Sequence, residues 1–298
     1  MPVIHAIDSG GNTMKALYVE GCFFPFFPFT KDPKRHLSNI RNLPIRDDDL
    51  LLWGYPRTGC HWLWEMICML SKGSVQYDAN TKENYMLDFM TPEMLEAMPS
   101  PRTLNSHFYF HHLPAQTKEK KIKFVVLHRD PKDTVVSYYS FMKGFAELFD
   151  YNGTFSHFLE LFLEGTLPYG SFIDFEQHIM QTLEDNPDIP VLHVFYEDLL
   201  KNCAEELLKV QRFLGYAADE KLCSGIAAAC EFKKLKQVIV DRPDPLRGDH
   251  KEGFEGVCRK GVIGDWKNFF SKEEEAAFNE VFRAKLGGTI LAERYLKA

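Results

Sequence analysis

Three places along the chain carry cations where an anion would want them. The stretch "YPRTGCHW" (55–62) follows the apolar run "DLLLWG" and leads into "LWEMICML". It reads as a strand, a tight loop and a helix that starts at once. A helix start offers free N–H groups and the positive end of its dipole. Arg57, the Thr58 hydroxyl and the small Gly59 add what a phosphate-like group needs there. The spacing is not that of a Walker A loop, which requires Gly, four residues, then Gly-Lys-Ser/Thr. Arg129 follows a second apolar run, "KIKFVVLH", and Ser137 comes about two helical turns later. "RKG" at 259–261 puts two more cations beside a glycine that permits close backbone approach. Each cation taken singly reads as a solvated charge. Together, on a chain of net charge -7, they point to one polyanionic ligand caught locally.

Groups able to move a proton gather in one further stretch. "PRTLNSHFYFHHLP" (101–114) offers four polar candidates: Ser106, His107, His111 and His112. The residues alone leave the choice open, since a histidine among aromatics is as a rule a packed one.

The elements that must position these groups repeat a strand-then-helix rhythm. "DLLLWGY" precedes "HWLWEMICML", "KIKFVVLH" precedes "KDTVVSYYSFMK", and "IPVLHVFY" precedes "EDLLKN" and "AEELLKVQRFLGY". Continuous apolar strands alternating with helices predict an α/β fold, a central parallel sheet covered by helices. No repeat or linker divides the chain, so one domain over 1–298 with a core at about 45–285 is expected. Thr91 and Pro92 start a short helix, and Ser271 with Glu274 forms a capping box for "KEEEAAFNEVFRAKL". The Pro- and Gly-rich stretch 240–261 is longer than an ordinary connection and reads as a lid or binding loop.

Composition narrows the class. The acidic balance excludes a general field for nucleic acid or anionic membrane. Seven cysteines, an odd number without a CxxC pair, predict reduced thiols and a cytoplasmic protein. The opening lacks a basic segment followed by an apolar run, and "GCFFPFFPFTK" is too short and proline-broken to span a bilayer. Cys60 and His61 are adjacent, but no further ligands stand at zinc spacing, so no metal is expected. "HRD" at 128–130 lacks the asparagine that a protein-kinase catalytic loop needs five residues on, where Val135 stands.

Four ordered motifs make the resemblance specific. The chain resembles the cytosolic sulfotransferases, which move a sulfuryl group from 3′-phosphoadenosine 5′-phosphosulfate (PAPS) to a hydroxyl or amine. The family pattern Tyr-Pro-Lys-Ser-Gly-Thr-Thr-Trp is met by "YPRTGCHW", and Arg-Asn-Pro-Lys-Asp-Val-(x)2-Ser-Tyr-Tyr by "RDPKDTVVSYY" (129–139). Tyr-Glu-Asp is met by "YEDLLKN" from 196, and Arg-Lys-Gly-(x)2-Gly-Asp-Trp-Lys by "RKGVIGDWK" (259–267).

The resemblance implies a P-loop-like phosphosulfate site at Arg57, Thr58, Gly59, Cys60, His61 and Trp62. It implies that Arg129, Ser137 and Arg259 hold the 3′-phosphate, with Lys260 and Gly261 completing the clamp. Trp62, Tyr196 and Phe232 would enclose adenine, with Cys230 where the family has threonine. It selects His107 as the base, because the family reads Pro-Arg-x-x-Lys-Thr-His-Leu-Pro there; Asn105 replaces that lysine here. Arg57 stands for a family lysine that assists the leaving group, and it keeps the charge as a planar fork that does not deliver a proton. Cys60 and His61 replace two threonines, and His61 is a candidate second donor to the phosphosulfate.

The expected activity is sulfuryl transfer from PAPS to a small hydrophobic phenol, steroid or alcohol, leaving the 3′,5′-bisphosphate PAP. Phe23, Phe24, Phe26, Tyr77, Tyr85, Phe89, Phe141 and Phe145 are acceptor-side candidates. The alternative is a protein that binds the nucleotide or a hydrophobic ligand with little or no transfer, because of the altered 57–61 loop. Family members often pair through Lys-(x)3-Thr-Val-(x)3-Glu. The matching segment 267–276 keeps Lys267 but has Ser271, Lys272 and Ala276, so homodimer formation stays open.

Overall fold

Seven strands form two sheets among the described residues: β1 (Ile4–Ile7), β2 (Thr13–Val19), β3 (Cys22–Phe24), β4 (Leu50–Trp53), β5 (Thr103–Ser106), β6 (Lys123–His128) and β7 (Val191–Phe195). The structure, a computed structural model, describes residues 4–25, 32–243, 247–254 and 256–296. It falls into two compact units that interleave in sequence.

The unit of residues 37–129 and 183–243 holds the predicted parallel sheet, in the order β5-β4-β6-β7. Register pairs Trp53 with both Ser106 and Val126, and His128 with Phe195. All four residues of β4 are buried, as an unbroken Leu-Leu-Leu-Trp run requires of a strand covered on both faces. The helices Cys60–Lys72, Tyr196–Leu214 and Glu220–Ala229 supply apolar cover, with Leu63, Met66, Ile67, Leu207, Val210 and Ile226 in one core. A buried ion pair ties the starts of neighbouring strands: Arg102, just before β5, donates from Nε to Asp49 Oδ1, just before β4, at 2.7 Å. The Tyr196–Leu214 helix is kinked at Asn202 (φ -139°, ψ 57°), where the sequence broke between "EDLLKN" and "AEELL".

The unit of residues 1–36, 130–182 and 244–298 contains the antiparallel sheet β1-β2-β3, which the sequence reading did not include. Its strands are short, and β2 hides only alternate positions in part, so its signal is weak. Helices Pro131–Lys143, Phe155–Glu164 and Lys272–Leu286 accompany it. Asp130 caps the first of these, accepting from the amides of Lys132 and Asp133. The predicted capping box is present: Glu274 N–H donates to Ser271 Oγ and Ser271 N–H donates to Glu274 Oε2. Within the stretch read as a lid, Phe254 stacks its ring against the bare face of Gly144 and packs on Phe145; residues 244–246 and 255 lie outside the described residues.

Candidate active site

Each strand of the parallel sheet hands one residue to its carboxyl end, and three of the four are predicted site residues. Gly54 follows β4, His107 follows β5, Arg129 follows β6 and Tyr196 follows β7. The chain passes from β4 to β5 on one side and then to β6 on the other side of β4. That reversal opens a crevice at the strand ends, which is where open parallel sheets bind ligands.

The loop after β4 shapes itself for an anion through its backbone. Arg57 has φ 73° and Gly59 φ 109°, so the chain turns sharply into the Cys60–Lys72 helix, whose first amides, at Cys60 and His61, precede the helix's own hydrogen bonds. A non-glycine residue with positive φ costs about 1–3 kcal/mol, which the surrounding structure must offset. Sequence reasoning had no signal for this conformation at Arg57. The side chains are more committed than the sequence implied. Thr58 is buried and donates its hydroxyl to the Tyr55 carbonyl at 2.8 Å. Burial pushes the Cys60 thiol up, away from a reactive thiolate. His61 Nε2 lies 2.6 Å from Glu83 Oε1. Burial opposes the Glu83 charge, but His61 and Lys82 outweigh it and hold the carboxylate well below its ordinary range.

Three predicted nucleotide residues are brought together here. The Arg129 guanidinium lies 4.4 Å over the Tyr196 ring and donates from Nη1 to the Arg57 carbonyl at 2.8 Å, so it holds the strained loop as well as facing the crevice. Its Nε is buried with no partner among the described residues. Trp62 meets Tyr196 edge-on at 5.6 Å and donates from Nε1 to the Cys230 carbonyl at 2.8 Å. A β-carbon at Gly59 would come within 2.7 Å of the Tyr196 ring, so this glycine is required by both its φ and its neighbour. Cys230 takes part through its backbone; its thiol lies on Met69 in the core. Phe232 is half-buried at the start of the Phe232–Asp241 helix.

Among the four base candidates, His107 has the geometry. Its Nδ1 lies 2.7 Å from the Gly54 carbonyl, which accepts and so fixes the proton on Nδ1 and places the lone pair on Nε2. Burial, with the Lys82 charge beside it, holds the imidazole well below its ordinary value, so it is neutral at pH 7. Asp88 braces the position, accepting from the Ser106 hydroxyl (2.5 Å) and the His107 amide (3.3 Å). Ser106 is thereby used as support. His111 is exposed, and His112 packs on Phe108.

The remaining predicted residues belong to the other unit or to its aromatic packing. Ser137 is buried in the Pro131–Lys143 helix. Arg259 Nη2 and Lys260 Nζ both pair with Asp265, at 2.6 and 2.9 Å. Burial would raise that carboxyl, yet Lys260, Asn268 and Arg259 bring it down to about 2. Gly261 adopts φ 67°. Phe141 and Phe145 join an aromatic cluster with Phe149 and Phe254. Phe23 and Phe24 lie on β3, with Phe24 buried. In the parallel-sheet unit, Tyr85 packs on Trp64, Tyr77 donates to the Ala229 carbonyl, and Phe89 is half-buried. Phe26 lies outside the described residues. In the segment matched to the family's dimer motif, Ser271 serves as a helix cap and Phe269 and Phe270 pack on Phe155.

Sequence reasoning missed Lys82, Glu83 and Asp88. They sit on two short turns, Lys82–Tyr85 and Leu87–Phe89, whose sequence "TKENYMLDF" carries no periodicity or motif.

No helix among the described residues is long and apolar enough to cross a membrane. Residues 47–290 match the family model of the sulfotransferase domain, which spans segments of both units. Sulfotransferase 1C2 of Homo sapiens is 31% identical, over 94% of this chain and 95% of its own length. Sulfotransferase 1B1 of Mus musculus is 33% identical, over 85% and 88%. The crystal structure of mouse sulfotransferase SULT7A1 complexed with PAP superposes with a TM-score of 0.77 at 26% identity, covering 94% of this chain and 98% of that one. A retinol dehydratase in complex with androsterone and inactive cofactor PAP shares the fold, with a TM-score of 0.73 at 19% identity over 97% and 91%. On the domain match and these relatives, the chain belongs to the sulfotransferase family.

Proposed function

We propose that this protein transfers the sulfuryl group of PAPS to the hydroxyl of a small hydrophobic acceptor, a phenol, steroid or alcohol, and releases PAP. The observation that carries the reading is His107: a neutral imidazole anchored through Nδ1–H to the Gly54 carbonyl, at the mouth of the anion-shaped loop. The PAP named in the mouse relative's structure supports the choice of donor.

The acceptor O–H gives its proton to His107 Nε2 as the oxygen attacks sulfur. The bond between sulfur and the bridging oxygen breaks, and the departing phosphate keeps the electron pair. Charge that builds on the leaving phosphate meets the Arg57 guanidinium and the amides around Gly59, which are already oriented. Arg57 grips non-bridging oxygens and stays protonated throughout. Thr58, Cys60 and His61 contribute mainly by their place in the loop, since their side chains are engaged internally. Trp62 and Tyr196 flank adenine, joined by Phe232 and by the carbonyl of Cys230 through Trp62. Arg129 takes the 3′-phosphate; the roles of Ser137, Arg259, Lys260 and Gly261 toward it rest on the motif resemblance. The aromatic side chains Phe23, Phe24, Tyr85, Phe89, Phe141 and Phe145 suit an apolar acceptor better than a sugar polymer, which would need a basic cleft. All seven cysteines are free thiols, which fits a cytoplasmic reaction.

The test is transfer from radiolabelled PAPS to a panel of phenols, catecholamines, steroids and aliphatic alcohols. The wild type sulfates at least one class, and His107→Ala lowers kcat by about 10²–10⁴-fold while binding PAP as before. A wild type that binds PAP and sulfates none of them would sink the proposal.

A further inference from the structure

A cation taken out of water needs an anion or a full set of acceptors. Lys82 has neither in full. Its side chain is buried, with the residue 3% exposed. Among the described residues Nζ has three neighbours: Asn105 Oδ1 at 3.0 Å, His107 Nε2 at 3.5 Å and the weakly accepting Met86 Sδ at 3.6 Å. No carboxylate pairs with it among the described residues. The charged and titratable groups around it are spoken for: Glu83 on the same turn faces His61 of the Cys60–Lys72 helix, and Asp88 on the next turn takes Ser106 and the His107 amide. Asn105 clasps the lysine at both ends, accepting from Nζ through Oδ1 and donating from Nδ2 to the Lys82 carbonyl at 2.9 Å. The ammonium is thus fixed and points one N–H at the lone pair of the base. Asn105 is also the position where the family motif carries a lysine, so the charge missing from β5 is supplied by a separate turn.

We propose that Lys82 is a further catalytic residue of this chain, whose ammonium donates to an oxygen of the sulfuryl group as it passes to the acceptor, with Asn105 holding it in place. The inference rests on the sulfuryl-transfer reading. In the step, the acceptor proton goes to His107 Nε2, the acceptor oxygen forms the new bond to sulfur, and the bridging oxygen leaves with the electron pair of the old one. Lys82 remains protonated and moves to the sulfuryl oxygen as the imidazole lone pair takes up the acceptor's proton. Before the step, the same charge opposes protonation of the base.

The experiment compares Lys82→Met and Lys82→Arg with the wild type, after thermal melts establish that each is folded. Lys82→Met lowers kcat by about 10²–10³-fold, as loss of one preorganised donor does. Its PAP affinity stays within about twofold, because PAP carries no sulfuryl group, and Lys82→Arg recovers part of the rate. An unchanged kcat, or a PAP affinity that falls as far as kcat, would overturn the assignment. A second readout needs no turnover: histidine NMR titration of the ligand-free protein. The His107 pKa rises in Lys82→Met as its nearest cation disappears; an unmoved pKa would show that the two groups do not act on each other. A wild type that binds PAP without transferring fails the functional reading and the role of Lys82 with it, whereas active wild type with indifferent Lys82→Met fails the Lys82 role alone.

Discussion

The loop at 55–62 and the loop at 259–267 both present cations beside glycines, yet they are held by opposite means. The first takes its shape from backbone conformation: positive φ at Arg57 and Gly59, with the Arg57 carbonyl secured by Arg129. The second is held by charge. Asp265 binds Arg259 and Lys260, and Asp133 receives the amides of Gly264 (2.6 Å) and Trp266 (3.0 Å). A site made of backbone geometry resists pH and salt but tolerates no added atom. A site made of ion pairs tolerates added atoms and responds to pH.

Gly59→Val breaks this contrast most strongly. A side chain there must adopt a φ of 109° and displace the Tyr196 ring, so both the loop and the aromatic side chains beside it are disturbed. PAP affinity, measured by calorimetry, falls by more than about 100-fold, with a stability loss of about 1–3 kcal/mol. Asp265→Asn acts on the other loop with a middling effect. The folded carboxyl sits at about 2 against an unfolded 3.8, so its contribution is present above pH 3.8 and is lost as pH falls toward 2. The variant loses at most about 2 kcal/mol at pH 7 and shows a flatter stability profile than the wild type in denaturant titrations between pH 4 and 2. Equal pH profiles would erase the distinction between the loops. Arg57→Lys is the mildest. It keeps the charge and the strained φ, so PAP affinity changes by about threefold or less and kcat by less than about tenfold in the same radiolabel assay.

What could be read in advance follows from how local each signal is. β4 and β6 were legible from unbroken apolar runs, and β7 from an apolar run interrupted only by His193. β5 was not: "TLNS" is mostly polar, and it is buried only because Ser106 finds Asp88 and Asn105 finds Lys82 from other segments. The cations at 57, 129 and 259 were visible by type and place, but the Asp265 partnership of Arg259 and Lys260 was not drawn from "RKGVIGDWK". His107 required the motif, since nothing within its own segment announces that a carbonyl 53 residues away fixes its tautomer. Lys82 could not be found by pattern at all, because its meaning lies entirely in what packs around it.

The bond from His107 to the Gly54 carbonyl has a consequence for how such a protein can be altered. Gly54 is the first peptide past β4 and His107 the first residue past β5, and those strands are locked in register, Trp53 opposite Ser106. The His107 imidazole and the 55–62 loop are therefore spaced by the sheet itself. Aromatic positions off the turns that carry Lys82, Glu83 and Asp88 can be rewritten without removing a group that braces His107. Changes there leave the spacing of imidazole and loop as the sheet sets it.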